Sequence, residues 1–383
     1  MSVTAARGFR AAGVAAGLKQ SGERDVALVV NDGPLQAASG VFTSNRIKAA
    51  PVLWSERVVK SGALKGVALN SGGANACTGP RGFQDTHLTA EQVALLLGCG
   101  AGEVAVCSTG IIGEFLPMDR LVEGFNDAFS TLSSEGGPVA ASAIMTTDSV
   151  SKEASLTRDG YVVGGMAKGA GMLAPGLATM LVVITTDAAV DATTCDDALR
   201  TATRRTFDRI DSDGCMSTND TVLLLASGAS GTAPEPDEFA AAVYEVCADL
   251  ARQLIADAEG ATKDIRIDVR GAESEADAVQ AARAVARSNL FKCAVHGEDP
   301  NWGRVLAAVG TTSAAFEADR VDVSINDVWV CRDGAAAEDR ALCDLSGREV
   351  TVTVDLHAGY ADATIWTNDL TAMYVHENSA YSS

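Results

Sequence analysis

Paired cysteines are missing from this sequence. Its nine cysteines stand singly (Cys77, Cys99, Cys107, Cys195, Cys215, Cys247, Cys293, Cys331 and Cys343), with no Cys-x-x-Cys pair and an odd count. That disfavours a disulfide framework and a thiolate zinc site, and the expected compartment is a reducing one, the cytoplasm. Histidine is scarce as well: His87, His296, His357 and His376 form no ligand cluster in sequence, so no metal is expected. Positive charge falls short of negative, 30 Lys and Arg against 50 Asp and Glu, a formal net charge of −20. Such a surface repels nucleic acid and anionic membranes, and solubility is its plainest role. No apolar run is long enough for a bilayer span; the longest, 172–184, is interrupted by Pro175, Gly176 and Thr179. The first twenty residues carry Arg7, Arg10 and Lys19 and no acid, as a transit peptide would, but they lack an apolar block and read as part of the mature fold.

What is present is an ordinary globular balance, 47% hydrophobic and 21% charged residues over 383 positions. That length buries a large core and suggests two or three lobes. Short apolar runs alternate with amphipathic stretches. The strand-like runs are 26–30, 67–69, 104–107, 181–185, 222–226, 265–269, 321–325 and 350–356. Ile265, Ile267 and Val269 alternate with Asp264, Arg266 and Asp268, the period of a half-buried strand. Helices are expected after Pro117, after Pro236 and over 276–287, and loops over 133–138 and 228–236. The fold class is α/β or α+β, with layered sheets covered by helices.

Four segments are too rich in Gly, Thr, Asn and Asp for scaffold. Residues 70–79 (NSGGANACTG) follow a strand, where α/β folds often build sites, though a tight turn explains them equally well. Ser108-Thr109-Gly110 ends another strand; its glycine would let backbone N–H groups point outward as oxyanion donors, and a plain turn is the simpler alternative. Residues 144–149 crowd Thr146, Thr147, Asp148 and Ser149 together, either a hydrogen-bonding cluster or a capped helix start. Residues 164–181 resemble a phosphate loop but lack the Gly-Lys-Ser/Thr order. In that stretch Lys168 has no nearby charge in sequence and, if buried, needs an anionic partner; Thr179 stands where the loop becomes an apolar strand.

In this order, together with 257–263, 296–304 and the C-terminal 377–383, these segments resemble the ornithine acetyltransferase family of the cyclic arginine pathway. The resemblance runs from Gly8-Phe9 to Ser383, and 168–181 and 296–304 are its most specific stretches. It implies a layered fold like that of self-processing N-terminal nucleophile enzymes, aminopeptidases among them. It implies self-cleavage between Ala178 and Thr179, giving an α chain (1–178) and a β chain (179–383), with two of each in the assembly. Thr179 would then be the acetyl-carrying nucleophile and Thr109 with Gly110 the oxyanion hole. Substrate contacts would fall on Thr146, Lys168, Thr179, Glu259, Asn378 and Ser383. The implied reaction moves acetyl from N-acetylornithine to glutamate with no cofactor; some members also accept acetyl-CoA. Ser149 and Ser383 stand where many members have threonine, and both keep the hydroxyl.

The chemistry suits these residues. A threonine hydroxyl needs a base close by. A free α-amino group, with a reference pKa near ~8, is such a base, and cleavage before Thr179 would create it. Lys168 suits the α-carboxylate that both substrates share. Glu259 either pairs with the ornithine ammonium or assists proton transfer. A self-processing amidohydrolase or aminopeptidase, passing the acyl group to water, is the nearest alternative, and a non-catalytic acidic binding protein is the next.

Overall fold

The computed structural model describes residues 2–174 and 180–380. Within them the chain forms two compact units. The first runs to Asp208 and takes in Cys215–Asp257; the second holds Arg209–Gly214 and continues from Ala258. This division is one of packing and is independent of the covalent boundary expected at 178/179.

The strands of the first unit are β1 (Phe9–Val14), β2 (Val26–Asn31), β3 (Ala37–Phe42), β4 (Gly66–Ser71), β5 (Val104–Thr109), β6 (Lys152–Arg158), β7 (Tyr161–Lys168), β8 (Leu181–Thr186) and β9 (Thr221–Ala226). They make two sheets, β1-β2-β4-β5 and β3-β9-β8-β7-β6. Ala27, Val29, Leu69 and Cys107 of one sheet share a core with Met166, Val183, Leu223 and Leu225 of the other. Leu28, Ala68 and Val106 point the opposite way, onto Val93 of helix Gly79–Leu97 and Leu121 and Phe125 of helix Met118–Ser130. Helices Ala192–Arg205 and Pro236–Ala256 pack on the second sheet. The layers are thus helix, sheet, sheet, helix. Strands covered on both faces read as unbroken apolar runs, and β2, β4, β5, β8 and β9 are buried at every residue.

The glycine-rich stretch from Gly164 departs from its loop-like sequence, because β7 continues through it to Lys168. The two glycines admit close neighbours: a Cβ on Gly164 would lie 2.3 Å from the Ser2 carbonyl oxygen, and one on Gly165 3.1 Å from Leu250 Cδ1. The expected loop 133–138 is cut short, since a helix begins at Gly137 with Pro138 in its first turn.

The second unit carries β10 (Asp264–Ala272), β11 (Asp322–Ile325), β12 (Val328–Arg332), β13 (Ala335–Ala336), β14 (Glu349–Asp355) and β15 (Ala361–Asn368), in the order β13-β12-β11-β14-β10-β15. Ile265, Ile267 and Val269 are buried with Ala281 and Val285 of helix Glu275–Ala286 and Val305 of helix Trp302–Val309. On the other face Arg266 pairs with Asp268 at 3.0 Å and Asp264 with Arg348 at 2.9 Å. None of the described helices is long and apolar enough to cross a membrane.

Candidate active site

Thr109 is the last residue of β5, and loops beneath it hold it in place. Its carbonyl accepts from the Gly73 N–H at 3.0 Å. Ser108 Oγ donates to Asn70 Oδ1 at 2.6 Å, and Asn219 Nδ2 donates to the carbonyls of Ala74 (2.6 Å) and Ser108 (2.8 Å). Gly110 follows with φ 127°, and a Cβ there would sit 2.5 Å from the Gly73 nitrogen, so only glycine fits. The polar segment 70–79 therefore braces the Thr109–Gly110 turn.

Lys168 ends β7, is 1% exposed, and donates from Nζ to Thr109 Oγ1 at 3.1 Å. Asp148 lies in the loop after helix Gly137–Ala143, so 144–149 is a turn cluster and not a helix start. Its carboxylate accepts from the backbone N–H groups of Gly169 (2.6 Å) and Thr146 (3.0 Å) and from Lys152 Nζ (2.7 Å). Lys152, itself fully buried, also pairs with Asp257 at 2.6 Å. Burial pushes the Asp148 carboxyl up, but the charges of Lys168 and Lys152 and the hydrogen bonds from Lys152 and Thr146 hold it below its usual range. Asp148 thus supplies the anionic charge that a buried Lys168 requires.

Asp220, fully buried ahead of β9, accepts from the Met180 N–H at 3.1 Å, so it grips the residue that follows Thr179 in the chain. Among the described residues its other oxygen, also buried, has no hydrogen bond of good geometry, although the Ser217 side chain lies within reach of the carboxyl. Burial drives this carboxyl well above the usual range, against the opposing Met180 hydrogen bond and the charge of Lys168.

In the second unit, Glu259 accepts from Asn378 Nδ2 at 3.0 Å. The C-terminal segment bearing Asn378 is a helix, Ala372–Ala380, and not a frayed tail. Thr371 Oγ1 fixes it by donating to the Gly260 carbonyl at 2.7 Å and capping the Tyr374 N–H at 2.9 Å. Residues 296–304 serve as scaffold. Asn301 caps helix Trp302–Val309, and His296 Nδ1 lies 2.8 Å from Asp369, which also accepts from the N–H groups of Thr262 and Lys263.

Thr109, Gly110, Thr146 and Lys168 accordingly belong to the first unit, Glu259 and Asn378 to the second, while Ala178, Thr179 and Ser383 lie outside the described residues. The sequence reading missed Asp220 and gave Asp148 only a place in a hydrogen-bonding cluster, not its link to Lys168. The sequence signal for Asp220 is the Asn219-Asp220 pair set directly against an all-apolar strand. Among the described residues no group of three His, Cys, Asp or Glu side chains could hold a metal ion.

The ArgJ family profile matches residues 10–383. The chain is 68% identical over 383 residues to the arginine biosynthesis bifunctional protein ArgJ of Streptomyces coelicolor and 67% identical to that of Streptomyces avermitilis, covering all of each. Among solved structures it is similar to an ornithine acetyltransferase from Mycobacterium tuberculosis complexed with ornithine, with 57% identity and a TM-score of 0.45 over 47% of this chain and 96% of that one.

Proposed function

The chain belongs to the ArgJ family and is an ornithine acetyltransferase of arginine biosynthesis; from that premise we propose that it carries acetyl from N-acetylornithine to glutamate as an ester on Thr179. The carrying observation is the Lys168–Thr109 contact: a buried ammonium donating to a hydroxyl at the end of a braced strand, beside a turn that only glycine can make. A hydroxyl whose oxygen already accepts from an ammonium has its own hydrogen to offer to a developing oxyanion.

The intact precursor first acts on itself. Thr179 Oγ attacks the Ala178 carbonyl carbon, the C–N bond breaks with its proton going to nitrogen, and water hydrolyses the resulting ester. The products are a chain ending at Ala178 and a chain beginning with the free amine of Thr179. That amine then takes the Thr179 hydroxyl proton as the oxygen attacks the acetyl carbonyl of N-acetylornithine. The oxyanion is met by the Thr109 hydroxyl and Gly110 N–H. Collapse breaks the amide C–N bond, the proton passes to the departing amine, and ornithine leaves behind acetyl-Thr179. Glutamate's α-amine reverses these steps and leaves as N-acetylglutamate.

Lys168, a buried cation beside Thr109, supplies the positive charge for the α-carboxylate common to both substrates. Glu259, with Asn378, takes the ornithine ammonium. Acetyl-CoA is a second donor to the same threonine, with no resident cofactor, and the working assembly holds two α and two β chains.

The test is radiolabelled N-acetylornithine given without glutamate. Label should remain on the fragment beginning at Thr179, and double-reciprocal plots with both substrates should be parallel. Intersecting lines with no labelled fragment would replace the covalent route by direct transfer. Release of labelled acetate, with no acetylglutamate on adding glutamate, would instead make the protein an amidohydrolase.

A further inference from the structure

One substrate of the proposed reaction ends in a cation and the other in an anion. A single site serving both in turn must accept either charge where the side chain ends. Glu259 answers to the ornithine ammonium, but alone it would repel the γ-carboxylate of glutamate.

Glu259 lines a cavity of about 150 Å³ that lies within the second unit, together with Lys292, Arg287, Asp213 and Asp369. These charges differ in how far the protein already satisfies them. Arg287 is bound to Asp211 at 2.7 Å. Asp369 accepts from the backbone of Thr262 and Lys263 and from His296. Lys292, in the first turn of helix Asn289–His296, is only 5% exposed, and its ammonium donates to the Ser212 carbonyl. Asp213, Asp211 and Asp369 are near enough to favour its charge, but among the described residues its ammonium makes its hydrogen bond to the Ser212 carbonyl and not to a carboxylate. An ammonium buried against one carbonyl, with two N–H donors to spare, is costly unless an anion completes it. Glu259 is only half-buried, and its hydrogen-bond partner among the described residues is the neutral amide of Asn378.

We propose that Lys292 binds the side-chain carboxylate of glutamate, in the same cavity in which Glu259 receives the ammonium of ornithine. This rests on the transferase reading above. The cavity has room for about five water-sized groups at ~30 Å³ each, and a CH₂–carboxylate end has four heavy atoms. Two opposite charges, each without an ion pair among the described residues, let one cavity serve both half-reactions without rearranging. Each substrate brings the missing counter-charge for one of them.

The experiment separates glutamate from its neutral isostere glutamine. On the mature wild-type enzyme and on Lys292→Met, acetyl transfer from acetyl-Thr179 is measured to each acceptor, and ornithine release from N-acetylornithine is measured separately. Loss of a charged hydrogen bond should lower the glutamate-to-glutamine ratio of kcat/KM roughly 10- to 100-fold. Ornithine release should stay within about threefold, and Lys292→Arg should restore most of the preference. A ratio unchanged in Lys292→Met, or equal loss of both half-reactions in a folded variant, overturns the assignment. If Lys292→Met does not fold, Lys292→Arg and Lys292→Gln carry the comparison, with charge retained in one and removed in the other. Calorimetric binding of glutamate gives a readout independent of turnover. A wild type that binds glutamate but does not acetylate it would sink the transferase reading, and Lys292 would then stand or fall on whether its removal weakens that binding.

Discussion

The Lys168 ammonium and the Thr109 hydroxyl meet at 3.1 Å although they end strands of different sheets, β7 and β5. The contact ties the proposed carboxylate-binding cation to the proposed oxyanion donor. Thr109→Ala should therefore lower kcat by a factor of about 100 or more, the usual cost of losing one such donor. KM for N-acetylornithine should change little, because the donor acts mainly on the transition state. Thr109→Ser, which keeps the hydroxyl, should recover most of the rate. Near-normal turnover in Thr109→Ala would mean that another group holds the oxyanion.

Lys168→Met removes the cation and keeps the length of the side chain. Both half-reactions should weaken by roughly 10- to 100-fold in kcat/KM, the worth of a charge-assisted hydrogen bond, because both substrates lose the same contact. Single-turnover measurements of ornithine release and of acetylglutamate formation decide this. A loss confined to one half-reaction would remove Lys168 from the shared carboxylate site.

Self-cleavage predicts two species, residues 1–178 and 179–383, in denaturing mass spectrometry of the purified protein. Thr179→Ala should give one uncut chain, since no hydroxyl remains to attack the Ala178 carbonyl. A wild-type sample that stays whole would end the N-terminal threonine mechanism.

Glu259→Gln keeps the shape and removes the charge. Ornithine release from N-acetylornithine should fall about tenfold in kcat/KM, the lower end for a charged hydrogen bond. Acceptance of glutamate, which has no side-chain ammonium, should be affected less. Equal losses would indicate instead that Glu259 moves a proton common to both steps.

Asp220 carries a pH signature. Burial raises its carboxyl well above the usual range. The folded chain therefore keeps a proton that the unfolded chain releases, near pH ~4. Its contribution to stability is full below that unfolded value and is lost as pH rises toward the folded one, by up to ~1.4 kcal/mol per pH unit for one proton. Asp220→Asn has no proton to lose. In an uncut Thr179→Ala background, denaturant titrations from pH 4 to 7 should show a shallower decline for the Asn variant. Identical slopes in the two proteins would show that Asp220 is ionised in the fold.

The scaffold was legible where burial on both faces leaves no room for polar residues. Runs 26–30, 104–107, 181–185 and 222–226 all lie within strands, and the alternation from Asp264 to Val269 marks β10. It was illegible where tertiary neighbours override local preference: Gly164 and Gly165 read as a loop, yet they are strand residues whose missing side chains make room for Ser2 and Leu250. The C-terminal segment with Asn378 carried no helical stripe, and its helix depends on Thr371 bonding to Gly260, more than a hundred positions earlier.

Thr109, Gly110 and Lys168 stood out in the sequence as a glycine turn and an isolated charge, while the roles of Thr179 and Glu259 came from the resemblance to the ornithine acetyltransferase family. Asp148, Asp220 and Lys292 acquire their chemistry from three-dimensional surroundings. In sequence each is one more charged residue in or beside a loop, where charges are normally solvated. Folding removes the water from all three and leaves different partners: two lysines and backbone N–H groups for Asp148, the Met180 N–H and the Ser217 side chain for Asp220, and one carbonyl for Lys292. The sequence by itself determined which groups could react; the tertiary structure decided which charges are buried and with what beside them, because desolvation depends on packing from segments far apart in the chain.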